Sequence, residues 1–118
     1  MRNNGIREDG HPYSYKNDNA LISDLPQEEQ DKAIEWVRKY CKEAKALNRN
    51  HTSYGLKNIL AAYTGFYITN NQFKDLMLLC GYYPKNENEQ NWEFFIREAP
   101  IKQAQIDGEK ARSDRIQQ

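Results

Sequence analysis

Aromatic side chains are confined to the middle of this 118-residue chain, and their placement limits which part of it can fold. Of the fourteen Phe, Trp and Tyr residues, all except Tyr13 and Tyr15 lie between Trp36 and Phe95. Because burial of large apolar side chains drives folding, the core must come from this stretch. The length suits one domain. We predict a compact domain at residues 21–98, after a loose, Asn-, Asp- and Gly-rich arm at residues 1–20 and before a charged tail at residues 99–118.

Charge is distributed unevenly, although the formal net charge of the chain is zero. Residues 1–35 carry a net charge of −4, residues 36–85 carry +6 and residues 86–118 carry −2. The basic part coincides with the part that we expect to fold, so the zero sum does not exclude a polyanionic partner. The same electrostatic attraction serves a nucleic acid and an acidic protein, and the charge pattern leaves both open.

Several classes of protein are disfavoured by what the sequence lacks. No run of about 18 apolar residues is present, so we expect no membrane-spanning segment and no membrane partner. The N-terminus is not typical of a secretory signal. Cys41 and Cys80 are far apart and belong to no CxxC motif, which argues against a disulfide scaffold and favours a reducing, cytoplasmic location.

The sequence contains no strong catalytic or metal-binding pattern. His11, Cys41, His51 and Cys80 include no closely spaced ligand pair of the kind that zinc sites use. A Cys41–His51 dyad lacks a third, orienting group, and Cys41 falls on an apolar helix face, where cysteines are usually inert. There is no glycine-rich phosphate loop. We therefore expect a non-enzymatic protein without a cofactor or metal, which acts by binding.

Helical periodicity predicts three helices. The first begins near Asp24, has acidic residues in its first turn and carries apolar residues at helical spacing as far as Leu47. The second is capped by Thr52 or Ser53 and ends at Gly65. The third begins at residues 69–71 and ends at Gly81.

The residues after the third helix predict a hairpin. An extended Tyr82-Tyr83-Pro84 run precedes a polar turn at residues 85–90, and apolar and polar residues then alternate from Trp92 to Ile96. The predicted fold class is mainly α with a small β-hairpin (α+β), a single winged-helix or helix-turn-helix-like domain. The alternative is a small α+β unit whose hairpin only covers the helices.

Four short runs carry a resemblance to a known group of proteins: SYGLK at residues 53–57, YITNNQFK at 67–74, GY at 81–82 and NWEF at 91–94. They resemble a group of small uncharacterised proteins of phages and other mobile elements of Gram-positive bacteria. The order helix, Gly, hairpin, Trp is also loosely similar to winged-helix domains attached to phage and plasmid primases. The resemblance implies an accessory protein of a phage or mobile element, located in the cytoplasm of the bacterial host cell, that acts on nucleic acid or on host defence. The chain has no primase or helicase motif, so that action would be binding alone.

A recognition helix would place the first turn of the third helix against bases or phosphates. Cations of the first two helices and of the hairpin would then contact phosphates, and affinity would fall with salt. The candidate residues for binding nucleic acid or an acidic partner are Arg38, Lys39, Lys42, Lys45, Arg49, Lys57, Asn58, Asn70, Asn71, Gln72, Lys74 and Lys85.

Other residues favour a protein partner. The third helix is apolar on more than one face, and Asp75, Glu87 and Glu89 would repel phosphate. An exposed apolar cluster suits a protein interface, and its candidate residues are Leu78, Leu79, Tyr82 and Tyr83. The alternative function is therefore a phage-encoded inhibitor of a host CRISPR-type defence nuclease. A third interpretation is an interaction module that forms a homodimer through the third helix.

Overall fold

Four α-helices and one short 3-10 turn, joined by irregular segments, make up the fold. A computed structural model describes residues 21–117, so the predicted N-terminal arm lies outside the described residues. After the 3-10 turn Ile22–Asp24, the helices are α1 (Gln27–Tyr40), α2 (Ser53–Thr64), α3 (Asn70–Leu79) and α4 (Glu98–Ile116). The mainly helical prediction is confirmed.

The second and third helices begin and end where their caps predict. The Thr69 hydroxyl caps α3 by accepting a hydrogen bond from the Gln72 backbone amide, and the Gln72 side-chain oxygen accepts one from the Thr69 backbone amide. Such a capping box satisfies two backbone donors at the helix start. Gly65 and Gly81 follow the two helices with φ of +89° and +91°, a conformation that glycine adopts at low cost.

The first helix is shorter than its periodicity predicts, because it ends at Tyr40 rather than near Leu47. Cys41 already has an extended backbone. The following residues 41–52, here called the connector, donate the Ala44 and Asn48 amides to the carbonyls of Phe95 and Phe94. These tertiary hydrogen bonds replace those that a longer helix would have formed.

A central extended segment, residues 92–97, holds the helices together. Its alternate side chains Trp92, Phe94 and Ile96 are buried. On one side its backbone forms hydrogen bonds with the connector. On the other side the Glu93 carbonyl accepts a hydrogen bond from the amide of Lys85, in the segment that follows α3. The predicted alternation of buried and more exposed side chains is thus present, but the backbone of this segment pairs with several different parts of the chain.

The predicted hairpin is reduced to isolated contacts. The central extended segment makes three antiparallel bridges, Glu43 with Ile96, Thr52 with Glu93 and Pro84 with Phe94. Only the last of these joins the two predicted hairpin arms. Within residues 21–117 no β-ladder forms, so a two-stranded wing is absent from the part of the chain that is described.

Residues 99–116, which the sequence assigns to a charged tail, form most of α4 and pack against α2. Ile101, Ala104 and Gly108 are buried and share one face of the helix. Tyr40 of α1 also donates a 2.5 Å hydrogen bond to Asp107 of α4. The compact unit therefore continues beyond residue 98.

Gly108 provides a test of the α2–α4 contact. A Cβ at Gly108 would lie 3.4 Å from the Ile59 carbonyl oxygen and 3.5 Å from the Ala62 Cβ, which are ordinary contact distances. Gly108→Ala should therefore raise the melting temperature, since alanine removes a helix-interior glycine that costs about 0.5–1 kcal/mol. Gly108→Leu should lower it by forcing the helices apart. Thermal unfolding followed by circular dichroism measures both changes.

Gly55 is the matched control, because it lies in α2 and a Cβ there meets nothing within 4 Å. Both Gly55→Ala and Gly55→Leu should be tolerated. If Gly108→Leu is as stable as Gly55→Leu, the close packing of α2 on α4 is contradicted.

Candidate functional site

Most of the first turn of α3 is covered by other segments of the chain. Asn71, Gln72 and Lys74 are buried, with Lys74 only 1% exposed. The Lys74 Nζ lies 4.9 Å from the ring centroid of Trp92, and the neighbouring Asp75 accepts a hydrogen bond from the Ile22 amide. The prediction that these residues are exposed contacts is therefore corrected for Gln72 and Lys74, which the 3-10 turn and the central extended segment cover. Asn71 is also buried, but it borders the groove described below.

Lys57 of α2 is the most unusual of the predicted site residues. Only 6% of Lys57 is exposed, and its Nζ lies 4.7 Å from the Tyr54 ring centroid and 5.1 Å from that of Tyr67. A hydrogen bond of 3.0 Å to the Asn58 Oδ1 is its polar contact. Both tyrosines are exposed, Tyr54 by 54% and Tyr67 by 69%. A cation thus lies between two accessible aromatic rings.

These residues line a groove between the start of α2, the start of α3 and the loop before the central extended segment. Its volume is about 570 Å³, within the range of about 300–1,000 Å³ that is typical of ligand sites. The other described lining side chains are amides or a hydroxyl, and among the lining residues within 21–117 only Lys57 is charged. We call this the tyrosine groove; its wall is formed by Tyr54, Lys57, Asn58, Tyr67, Asn70 and Asn91.

The amide side chains of Asn58, Asn70 and Asn91, here called the amide wall, do not use all of their hydrogen-bonding groups in contacts within the described residues. The Asn70 Nδ2 donates to the Gln90 carbonyl and to the Asn91 Oδ1, while the Asn70 Oδ1 is buried with no hydrogen-bond partner. Asn91 and Asn58 use their side-chain oxygens as acceptors in these contacts, which leaves their NH₂ groups as donors. Groups of this kind recognise ligands that carry both acceptors and donors.

The Lys57 ammonium has no neighbouring opposite charge in the part of the chain that the structure describes. Within the described residues it forms no ion pair with a carboxylate, and burial lowers the pKa of Lys57 below its ordinary value. An unpaired buried charge is unfavourable, because the cation has lost water without gaining an anion. The groove therefore favours a ligand that brings negative charge.

A second cavity adjoins the tyrosine groove through Tyr67. Its volume is about 460 Å³, and Phe66, Arg112 and Arg115 are among its lining residues. Arg115 donates to the carbonyls of Ala62 and Tyr63 at the end of α2. Arg112 lies 3.9 Å from Glu109 in a well-exposed pair, which is a weak interaction. We call this the arginine cavity.

Most predicted cations outside the grooves are exposed. They are at the end of α1, in the connector and after α3, and within residues 21–117 none lies within ion-pair distance of a carboxylate. Lys39 also lies 5.2 Å and 5.8 Å from the ring centroids of Tyr40 and Tyr63. The exposed cations are Arg38, Lys39, Lys42, Lys45, Arg49 and Lys85.

The predicted apolar interface is divided by the fold. Leu78 is buried, Leu79 and Tyr82 are half-buried, and the Tyr82 hydroxyl donates to the Cys41 carbonyl at 2.7 Å. Only Tyr83, half of whose surface is exposed, remains as a large free side chain. The four residues therefore do not form one exposed apolar patch.

Cys41 and His51 are engaged in structural contacts. Cys41 is buried, and burial raises the pKa of its thiol to about 12, so the thiolate is scarce at neutral pH. The His51 Nε2 lies 3.0 Å from the Glu98 Oε2. Among the described residues no group of three or more His, Cys, Asp or Glu side chains is arranged to hold a metal ion.

The sequence predictions missed the residues that shape the two cavities. Tyr54, Tyr67 and Asn91 lie on segments that the resemblance had already singled out, but their exposure depends on how three separate elements meet. Arg112 and Arg115 were assigned to a tail. The signal available in the sequence was Tyr54, an aromatic residue that lies three positions before Lys57 and therefore on the same helix face.

Comparison of the chain with protein-family models, with curated proteins and with solved structures gives no match. The resemblance to mobile-element proteins therefore stays a prediction. In the part of the chain that the structure describes, no helix has both the length and the apolar character needed to cross a membrane.

Glu98 fixes the connector to the start of α4. Its Oε1 accepts one hydrogen bond of 3.0 Å from the Asn48 Nδ2, and its Oε2 lies 3.0 Å from the His51 Nε2. Partial burial acts to raise the pKa of Glu98, but the hydrogen bonds from His51 and Asn48 outweigh it, and the pKa of Glu98 lies below its ordinary value. The ionised carboxylate is thus the form that holds the connector, and with it the exposed Arg49.

Glu98→Gln should lower the melting temperature at pH 7, where the lost charged hydrogen bonds are worth about 1 kcal/mol. Because the folded-state pKa of Glu98 is depressed, its contribution is complete above the unfolded pKa of about 4.3 and disappears as the pH falls further. The difference between the two proteins should therefore shrink towards pH 3. Glu89→Gln, at an exposed position, is the control, and a difference that persists at pH 3 would contradict this role.

Proposed function

We propose that the protein is a non-enzymatic nucleic-acid-binding protein whose binding site is the tyrosine groove. The observation that carries this proposal is the Lys57 ammonium, which lies close to two tyrosine rings and has no carboxylate partner among residues 21–117. A phosphate group would supply the missing negative charge. Exposed cations of the connector would then attract the polyanion and contact its other phosphates.

The lining of the groove favours a nucleic acid over an acidic protein. Aromatic rings stack on nucleobases, and amide groups pair with base edges through combined donors and acceptors. A carboxylate would satisfy Lys57 but would leave the two exposed rings and the amide wall without matched partners. Binding to an acidic protein, including a defence nuclease, is therefore the competing outcome that the experiments must separate.

A winged-helix mode of binding would require α3 to enter a groove of duplex DNA with its first turn exposed. Since Gln72 and Lys74 of that turn are covered, we assign binding instead to α2 and to residues 67–70 before and at the start of α3. The mobile-element setting implied by the resemblance is compatible with such a protein and adds no residue to the site.

Lys57→Met should weaken binding of a fluorescein-labelled oligonucleotide about tenfold or more in fluorescence anisotropy at low salt, because a charged contact with phosphate is lost. The slope of log affinity against log salt should decrease by about 0.7 for a single strand. The melting temperature should not fall, since the substitution removes an unpaired buried charge. Unchanged affinity would show that Lys57 does not contact the ligand.

Two controls separate charge from shape in this experiment. Lys57→Arg keeps the positive charge and should retain more of the affinity than Lys57→Met. An excess of polyglutamate tests the acidic-protein alternative. If polyglutamate displaces the oligonucleotide as well as unlabelled oligonucleotide does, the groove recognises negative charge alone and the proposal fails.

The connector is tested by the double variant Lys42→Glu with Lys45→Glu. We expect binding to fall by more than for a neutral substitution, because two phosphate attractions become repulsions. Lys102→Glu with Lys110→Glu, at two exposed positions of α4, changes the net charge equally and serves as the control. Equal losses in the two double variants would mean that net charge, rather than the connector, determines affinity.

A further inference from the structure

We infer that the ligand is a single strand, with an unpaired base at Tyr54 and Tyr67 and the strand continuing past Tyr67 into the arginine cavity. This inference rests on the proposed function and specifies which form of nucleic acid the site takes. Its basis is the combination of two exposed rings, a cation between them and an amide wall, followed by a second cavity that shares Tyr67.

Stacking on tyrosine requires a base whose faces are free. In a duplex both faces of an internal base are covered by neighbouring bases and its pairing edge is used. Tyr54 and Tyr67 both lie close to the same Lys57 Nζ, so their rings are neighbours at the groove mouth. Proteins that bind single strands combine such aromatic side chains with cations that follow the backbone.

The amide wall suits the edge of an unpaired base. Among the described contacts, the side-chain oxygens of Asn58 and Asn91 act as acceptors, so the NH₂ groups of these two residues remain as donors on the groove wall. Lys57 lies between the rings, where the phosphate of the stacked nucleotide can reach it. Stacking tolerates any base, so the site is expected to discriminate single strands from duplexes more strongly than one sequence from another.

The path that we infer for the strand follows from Tyr67, which lines both the tyrosine groove and the arginine cavity. Tyr67 borders the tyrosine groove on one side and the arginine cavity on the other. Arg112 is 59% exposed at its side chain and has only a weak contact with Glu109, so its guanidinium is available to a phosphate. A strand that leaves Lys57 across Tyr67 meets this cation next. Arg115 adds positive charge while its donors are used at the end of α2.

The first experiment compares three labelled ligands of about twelve nucleotides with the full chain: a thymidine single strand, a duplex and an abasic strand with the same phosphates. We expect the single strand to bind at least tenfold more tightly than the other two. Tyr54→Ala and Tyr67→Ala should each weaken single-strand binding about 5- to 150-fold, and Tyr54→Phe and Tyr67→Phe should retain most of it. Tyr83→Ala, at a similarly exposed tyrosine outside the groove, is the control.

The outcomes distinguish this inference from the function on which it rests. Equal binding of duplex or abasic strand, or unchanged binding by the tyrosine-to-alanine variants, overturns the single-strand inference and leaves nucleic-acid binding standing. An absence of binding to all three ligands at low salt overturns both.

The second experiment tests the path of the strand. Arg112→Gln should weaken binding of the twelve-nucleotide strand several-fold and leave binding of a dinucleotide unchanged, since the shorter ligand fills only the tyrosine groove. Lys102→Gln removes an exposed charge elsewhere on α4 and is the control. If Arg112→Gln affects neither ligand, or affects both equally, the path through the arginine cavity is wrong.

Discussion

The position of every helix depends on the central extended segment, residues 92–97. Its buried side chains Trp92, Phe94 and Ile96 fill the space between the helices, while its backbone bonds to the connector and to the start of α2. The Ser53 amide donates to the Trp92 carbonyl at 2.7 Å, which fixes the first turn of α2. A single extended strand thus replaces a sheet, because each stretch of its backbone finds a different partner.

The sequence predicted the elements with local signals better than those that depend on tertiary contacts. Caps and glycines located α2 and α3, since these residues act within a few positions of themselves. The end of α1 was misplaced because backbone bonds to Phe94 and Phe95 replace a longer helix, which apolar periodicity does not report. The α4 face was overlooked because it is built from small residues, Ala104 and Gly108, whose burial reflects close helix packing rather than hydrophobicity.

The candidate site was predicted only in part for the same physical reason. Four residues that were selected by charge or hydrogen-bonding capacity line the tyrosine groove: Lys57, Asn58, Asn70 and Asn71. Gln72 and Lys74 were selected by the same criteria but are buried, because the 3-10 turn and Trp92 lie against this part of α3. Residue chemistry identifies groups that can bind, whereas exposure depends on segments distant in sequence. The connector cations Lys42, Lys45 and Arg49, in contrast, lie outside the helices and are exposed.

A chain without net charge cannot depend on long-range attraction to a polyanion. Its acidic flanks, at −4 and −2, oppose the attraction of the +6 centre beyond about one Debye length. If the proposed binding occurs, its affinity would therefore come mainly from short-range contacts, which are stacking, hydrogen bonds and the neutralisation of a desolvated cation. The tyrosine groove brings the groups for these three contacts together around Lys57. Because burial disfavours the charge of Lys57 in the free protein, relief of that cost in the proposed complex would add to the selectivity for a ligand that carries both an anion and a flat ring.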